Sequence, residues 1–301
     1  MKKLLAVLLT AAMTMAMLTA CGSSTEATDT TTETTEAEAD TTTDDAAVEE
    51  TAEAADAADA AEETADTEAA VSEALADGML TAGTNAEFPP FEYVGDDGEA
   101  DGFDIALIKA IGEKLGVDVQ VDNMEFASLV SSIGNKIDVA IAGMTITDER
   151  KEAVDFSEPY YEAVQYVLLP EGCEIATAED LKNKTIGVQL GTTGDFIASD
   201  IEGTTVNTYN KGVDAVNDLI NGRVDCVIID KNPALVFVSK FQGDGSKITA
   251  VDGAQFEFEP EYYAIAVPKG DTALVDAINK AIEELKADGT FDELVKTYIE
   301  E

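Results

Sequence analysis

Gly143-Met144-Thr145-Ile146-Thr147-Asp148-Glu149-Arg150 is the stretch whose reading decides the fold. An apolar run, Ile137 to Ala142, leads into it and has the composition of a buried strand. Gly143 ends that run. Thr147, followed by Asp148 and Glu149, has the chemistry of a helix N-cap with acids in the first turn. A strand that feeds a helix through so short a turn leaves backbone N–H groups free, and an anion is favoured there. Arg150 adds a planar guanidinium that pairs two-pronged with a carboxylate, and Thr145 adds a hydroxyl. The stretch therefore reads as a carboxylate clamp. The alternative is a surface arginine paired with nearby glutamates.

Composition narrows what such a clamp can serve. Lys and Arg number 18 against 62 Asp and Glu, a net charge of −44 over 301 residues. Phosphate backbones repel such a chain, so nucleic-acid binding is excluded, and anionic lipid surfaces repel it too. There is no His, which removes Ser–His and Cys–His nucleophile pairs and histidine metal sites. No cofactor or metal is expected. Cys173 and Cys226 are too few for a disulfide framework and read as two separate thiols or one bridge.

Toward the N-terminus, Lys2, Lys3 and the apolar run Leu4 to Leu18 form a targeting segment, residues 1–20. It ends in Leu18-Thr19-Ala20-Cys21-Gly22, which resembles the bacterial lipoprotein lipobox, where Cys21 becomes the lipid-bearing N-terminus. Residues 21–77 are then a lipid-anchored acidic linker. Nineteen acids lie from Gly22 through Asp77 with no Lys or Arg, a composition that cannot bury enough apolar surface to fold.

From Met79 onward, strand and helix patterns alternate. Met79 to Thr84 is a strand, Phe91 to Val94 with Glu99 to Gly102 a hairpin, and Asp104 caps a helix that Gly116 closes. Val117 to Val121 is a strand, and Phe126 to Ile133 is a short helix before the run into the clamp. This order means a mostly parallel sheet, whose ligands sit at the carboxyl ends of its strands. A second α/β unit follows. Thr185 to Gln189 runs into Leu190-Gly191-Thr192-Thr193-Gly194 and a helix, repeating the clamp's geometry without a Walker lysine. Thr205 to Tyr209, Val224 to Ile229 ending at Asp230, Lys247 to Val251 and Tyr262 to Val267 are strands. Two helices separated at Gly289 finish the chain.

Taken in order, Gly83-Thr84-Asn85, Phe88-Pro89-Pro90-Phe91, Gly102-Phe103-Asp104, the clamp itself, Asp155-Phe156-Ser157, Pro159-Tyr160-Tyr161, Val188 to Gly194, Asp225 to Asp230 and Pro268-Lys269-Gly270 resemble family 3 of the extracellular solute-binding proteins. These are polar amino-acid receptors of ABC importers. The resemblance implies an α/β, two-lobed, periplasmic-binding-protein-like fold of type II. Each lobe would be a mostly parallel sheet flanked by helices, joined by two hinge strands. Residues 78–163 and 264–301 form lobe 1, and 164–263 lobe 2. It further implies a monomer on the outer face of the cell membrane, on the periplasmic or extracellular side. That monomer is lipid-anchored, palmitoylated, and partnered by a polar L-amino acid and by permease subunits.

Residue by residue, the resemblance makes Arg150 the α-carboxylate ligand, helped by hydroxyl or backbone donors of Thr145, Thr192 and Thr193. Asp230 takes the α-ammonium with the Gly143 carbonyl, although it could instead cap a helix from Asn232. Phe88 and Phe126 sandwich the ligand side chain or else pack in the core. Asn85 and Gln189 bring amides to the side-chain pocket, and Glu87 brings a charge there or faces solvent. Basic or amide side chains are expected ahead of acidic ones, with cystine or another sulfur amino acid as the second class. The physical case agrees: a zwitterion needs one fixed cation and one fixed anion in the same crevice. The function alternatives are a dehydratase of the prephenate or arogenate type on the same fold, and an amino-acid sensor domain.

Overall fold

The computed structural model describes residues 72–243 and 247–300. The chain enters through β1 (Met79–Thr84) and a small three-stranded sheet of β2 (Glu87–Phe88), β3 (Glu92–Val94) and β4 (Ala100–Asp101). Helix α1 (Phe103–Leu115), β5 (Asp118–Asn123), α2 (Leu129–Ser132), β6 (Val139–Ala140), α3 (Asp148–Ala153) and β7 (Val154–Phe156) follow. Strand β8 (Tyr161–Ala163) leads into β9 (Gln165–Pro170), β10 (Thr185–Gln189), α4 (Thr193–Asp200) and β11 (Thr205–Tyr209). Next come α5 (Gly212–Ile220), β12 (Cys226–Asp230), α6 (Lys231–Gly243) and β13 (Ile248–Asp252). Strand β14 (Glu261–Tyr263) pairs antiparallel with β8 and returns the chain to β15 (Ala266–Pro268), and then to α7 (Thr272–Asp288) and α8 (Thr290–Tyr298), which pack on α1.

Two five-stranded sheets result, ordered β5-β1-β6-β15-β7 and β11-β10-β12-β9-β13. Each has three parallel strands followed by two antiparallel neighbours, so the lobes repeat one topology. The central parallel strands are buried on both faces, which is why β12, Cys-Val-Ile-Ile-Asp, is inaccessible throughout, while the edge strands β5 and β11 are partly exposed. The paired strands β8 and β14 carry the chain between the two sheets.

Local chemistry explains the element ends. Thr147 caps α3, its hydroxyl accepting from the Arg150 N–H at 3.1 Å. Gly116 and Gly289 take left-handed conformations at the ends of α1 and α7, with φ of 71° and 86°.

Several expectations are revised. Asp104 is not an N-cap: Gly102 holds that position, and Asp104 lies inside α1, fully buried. The run into the clamp pairs as a strand only over Val139–Ala140, although its neighbours are buried too. Tyr262 to Val267 is split, because β14 pairs with β8 and β15 joins the first sheet. Packing also begins before Met79. Ser72 is buried and donates to Asp271 Oδ2 at 2.6 Å, and Leu75 packs on the first core. Cys173 and Cys226 are free thiols, the first exposed and the second buried. Burial pushes the Cys226 thiol up to about 12, so it is chemically quiet. Among the described residues no helix is long and apolar enough to cross a membrane. The leader, Cys21 and almost all of the linker lie outside the described residues.

Candidate ligand-binding cleft

The carboxyl ends of β1, β5 and β6 in one lobe face those of β10 and β12 in the other. Between them lies a crevice lined by Asn85, Phe88, Phe126, Gly143, Thr145, Arg150, Gln189, Thr192, Thr193 and Asp230. These are the expected site residues with the exception of Glu87. Glu92 and Ala142 complete the lining.

Arg150 is buried at 7% exposure. Its Nη1 donates to the Thr145 carbonyl at 2.6 Å, and its Nη2 donates across the lobes to the Gly191 carbonyl at 3.0 Å. The guanidinium lies 5.3 Å from the centre of the Phe126 ring, which therefore serves as both cleft wall and cation–π partner. Two of five N–H donors are engaged by carbonyls, and the fork keeps donors for a carboxylate. Burial lowers its pKa, opposed by the charges of Glu261, Asp230 and Glu149.

Asp230 ends β12, and its Oδ1 accepts from Tyr263 O–H at 2.5 Å. Burial raises its carboxyl, the Glu261 charge raises it further, and it stands at about 7. Guanidinium and carboxyl thus come from different lobes, one from α3 and one from β12, into one crevice, and neither is satisfied by the other.

The threonines are more committed than expected. Thr145 Oγ1 and Thr193 Oγ1 donate to Glu261 Oε2, and Thr192 Oγ1 donates to the Gln189 carbonyl while capping α4. The hydroxyl protons are therefore engaged, and the backbone N–H groups of the α4 first turn are what remain for an anion. Gly143 has φ of 52°, and a Cβ there would meet the Phe88 ring at 2.8 Å, so ring and backbone touch because the residue is glycine.

The far wall is an amide pair. Gln189 Nε2 donates across the lobes to Asn85 Oδ1 at 2.8 Å and to the Asn210 carbonyl, while Asn85 Nδ2 donates to the Met124 carbonyl. Glu87 does not join them. It pairs with Lys211 of the other lobe at 2.5 Å and lies on an adjoining opening instead. A cation 124 residues away in sequence holds it at the rim.

The family follows from comparison. The description "Bacterial extracellular solute-binding proteins, family 3" matches residues 80–301. The chain belongs to this family. The L-cystine-binding protein TcyJ of Escherichia coli is 35% identical over 221 residues, covering 72% of this chain and 81% of its own. A solved ancestral arginine-binding protein bound to arginine is 42% identical at a TM-score of 0.69, covering 74% of this chain and 98% of its own. The solved substrate-binding protein of an amino acid ABC transporter is 36% identical at a TM-score of 0.69, covering 74% and 100%.

Sequence reasoning missed several groups in this family member. Glu92 is fully buried and lines the crevice, and among the described residues neither of its carboxyl oxygens has a donor. Asp104 Oδ2 accepts from the Gly143 N–H at 2.7 Å and Tyr160 O–H at 2.8 Å, while its Oδ1 is unpartnered. Two buried carboxyls with vacant oxygens fit a shared proton. Burial and then Asp104 push Glu92 well above the carboxylate range, and burial raises Asp104 to about 6. The alternation of Phe91 to Val94 gave no warning, since it sets Glu92 on the face opposite the buried Phe91. Glu261 and Gln165 gave no signal either.

Proposed function

We propose that this chain is an extracytoplasmic receptor. It binds a polar α-amino acid between its lobes and delivers it to the permease of an ABC importer. The observation that carries this is the placement of a buried guanidinium, Arg150 on α3, and a buried carboxyl, Asp230 at the end of β12, on different lobes but in one crevice. A zwitterion pairs both groups at once and does so only when the lobes are closed, so binding and closure are linked. Arg150 takes the carboxylate together with backbone N–H groups of Thr145, Thr192 and Thr193. Asp230 and the Gly143 carbonyl take the ammonium, and Phe88 and Phe126 hold the side chain. The amides of Asn85 and Gln189 face it at the far wall, a wall suited to polar side chains, basic or amide ahead of acidic. The relatives named for arginine and for cystine support this size and polarity.

Lobe 1 is assigned to residues 78–163 and 264–301, and lobe 2 to 164–263, because each range contains one whole five-stranded sheet. Cys21 is assigned as the acylated, palmitate-bearing anchor after removal of residues 1–20, and the protein acts as a monomer without cofactor. A binding role rather than dehydratase catalysis is favoured by an anion held ready for an ammonium at Asp230. A thermal-shift screen against the twenty amino acids tests the reading, with stabilisation by one polar subset expected. No stabilisation by any of them, or aromatic product from prephenate, overturns it.

A further inference from the structure

Glu261 belongs to neither large sheet. It opens β14, one of the two strands that connect the lobes. A single atom, Oε2, accepts from Thr145 Oγ1 at 2.7 Å, from Thr193 Oγ1 at 2.8 Å and from Gln165 Nε2 at 3.4 Å. Thr145 comes from the turn after β6 in one lobe, and Thr193 opens α4 in the other. One oxygen therefore ties a residue of each lobe to the strand that connects them. Both threonines line the crevice, whereas Glu261 stands behind them on an outer groove shared with Phe196 and Tyr262.

We propose that Glu261 is a positioning residue of the amino-acid site: it latches the lobes closed from the hinge strand and, by taking the hydroxyl protons of Thr145 and Thr193, holds those protons away from the ligand. The proposal rests on the receptor reading above. It has two separable consequences. The latch favours closure without touching the ligand. The charge bears on the ammonium acceptor Asp230, which is faced by Arg150 from α3, Glu92 from β3, Tyr161 from β8, and Tyr263 and Glu261 from β14. Of these, the Glu261 charge is the largest electrostatic influence raising Asp230 after burial itself.

Two variants of the full chain separate the consequences. Glu261→Gln keeps an oxygen that accepts from both threonines but removes the charge, and Glu261→Ala removes both. Without ligand, hydrogen–deuterium exchange across residues 143–150 and 190–196 is expected to quicken in Glu261→Ala and to match wild type in Glu261→Gln. With L-arginine and L-cystine as probes, calorimetry at high pH is expected to give Glu261→Ala about tenfold weaker binding and Glu261→Gln binding close to wild type. The rise of affinity with pH should move to lower pH in Glu261→Gln, because Asp230 loses its acidic neighbour. Exchange and pH profile unchanged in both variants overturns the proposal. Wild-type protein that binds no amino acid overturns the receptor reading instead, and the exchange experiment still decides the latch.

Discussion

Arg150 shows how much one side chain can be made to do. Its position three residues after Thr147 lets its own N–H close the cap of α3. The side chain then turns back over Phe126 and reaches carbonyls on both lobes. Arg150→Ala is expected to weaken amino-acid binding by about 2–5 kcal/mol, since it strips a desolvated charge pair of one partner. Arg150→Lys should recover only part of this, because an ammonium cannot make the two-pronged contact. Calorimetry giving equal affinity for wild type and Arg150→Ala would remove Arg150 from the site. Gly102 is a residue of another kind. With φ of 124°, a Cβ there would lie 2.3 Å from the Phe91 carbonyl oxygen. Gly102→Ala is expected to destabilise the fold by about 2–4 kcal/mol from backbone strain and overpacking, read as a shift of the denaturant midpoint.

At the scale of elements, two bonds between the lobes invite comparison. The Gln189–Asn85 bond joins the ends of β10 and β1 and is buried. The Lys211–Glu87 pair joins the N-cap residue of α5 to β2 at the partly exposed rim. Gln189→Leu strands the Asn85 carbonyl oxygen without its donor in the closed form. It is expected to lower ligand affinity by about 1–3 kcal/mol. Lys211→Met should change affinity by less than about 1 kcal/mol, and that difference should vanish at high salt. Titrations of both variants at low and high salt check the contrast. If the rim pair proved the stronger of the two, closure would be governed by surface charge rather than by the buried amides.

For the whole molecule, the governing quantity is the acid gathered in and behind the crevice. Asp230 at about 7, Asp104 at about 6 and Glu92 well above the carboxylate range all bind protons more tightly folded than unfolded. The sign follows from linkage: their contribution to stability is complete below the unfolded carboxylate value and is lost as pH rises through their folded values. The ligand-free protein is therefore expected to lose thermal stability between about pH 4 and 7. The surface acids Asp155, Asp180 and Asp218, lowered by their hydrogen bonds, act only below this window. Ligand affinity should run the other way and rise toward about pH 7, because the ammonium needs Asp230 ionised. Melting curves across pH, with and without ligand, test both signs. Deleting residues 23–71 should leave affinity and melting temperature unchanged. Extending the deletion through residue 76 should lower the melting temperature, since Ser72 and Leu75 pack on the folded part.

By itself the sequence determined whatever chain neighbours decide. The Thr147 cap, the left-handed glycines after α1 and α7, the apolar parallel strands and the Gly/Thr turns at their ends all depend on contacts within a few residues. They place Asp230 at the carboxyl end of a strand and Arg150 in the first turn of a helix that follows one, and the order of motifs identifies the family. Only the tertiary structure decided which distant group each polar side chain meets. Glu87 turns to the rim because Lys211 is there. Asp104 leaves its expected cap because Gly143 and Tyr160 offer it donors inside the core. Glu92 and Glu261 enter the site from a hairpin and a hinge strand that look ordinary in one dimension. The physical reason is that a buried carboxyl's behaviour is set by the donors, charges and exclusion of water around it, and here those come from segments distant in sequence that only the folded structure brings together.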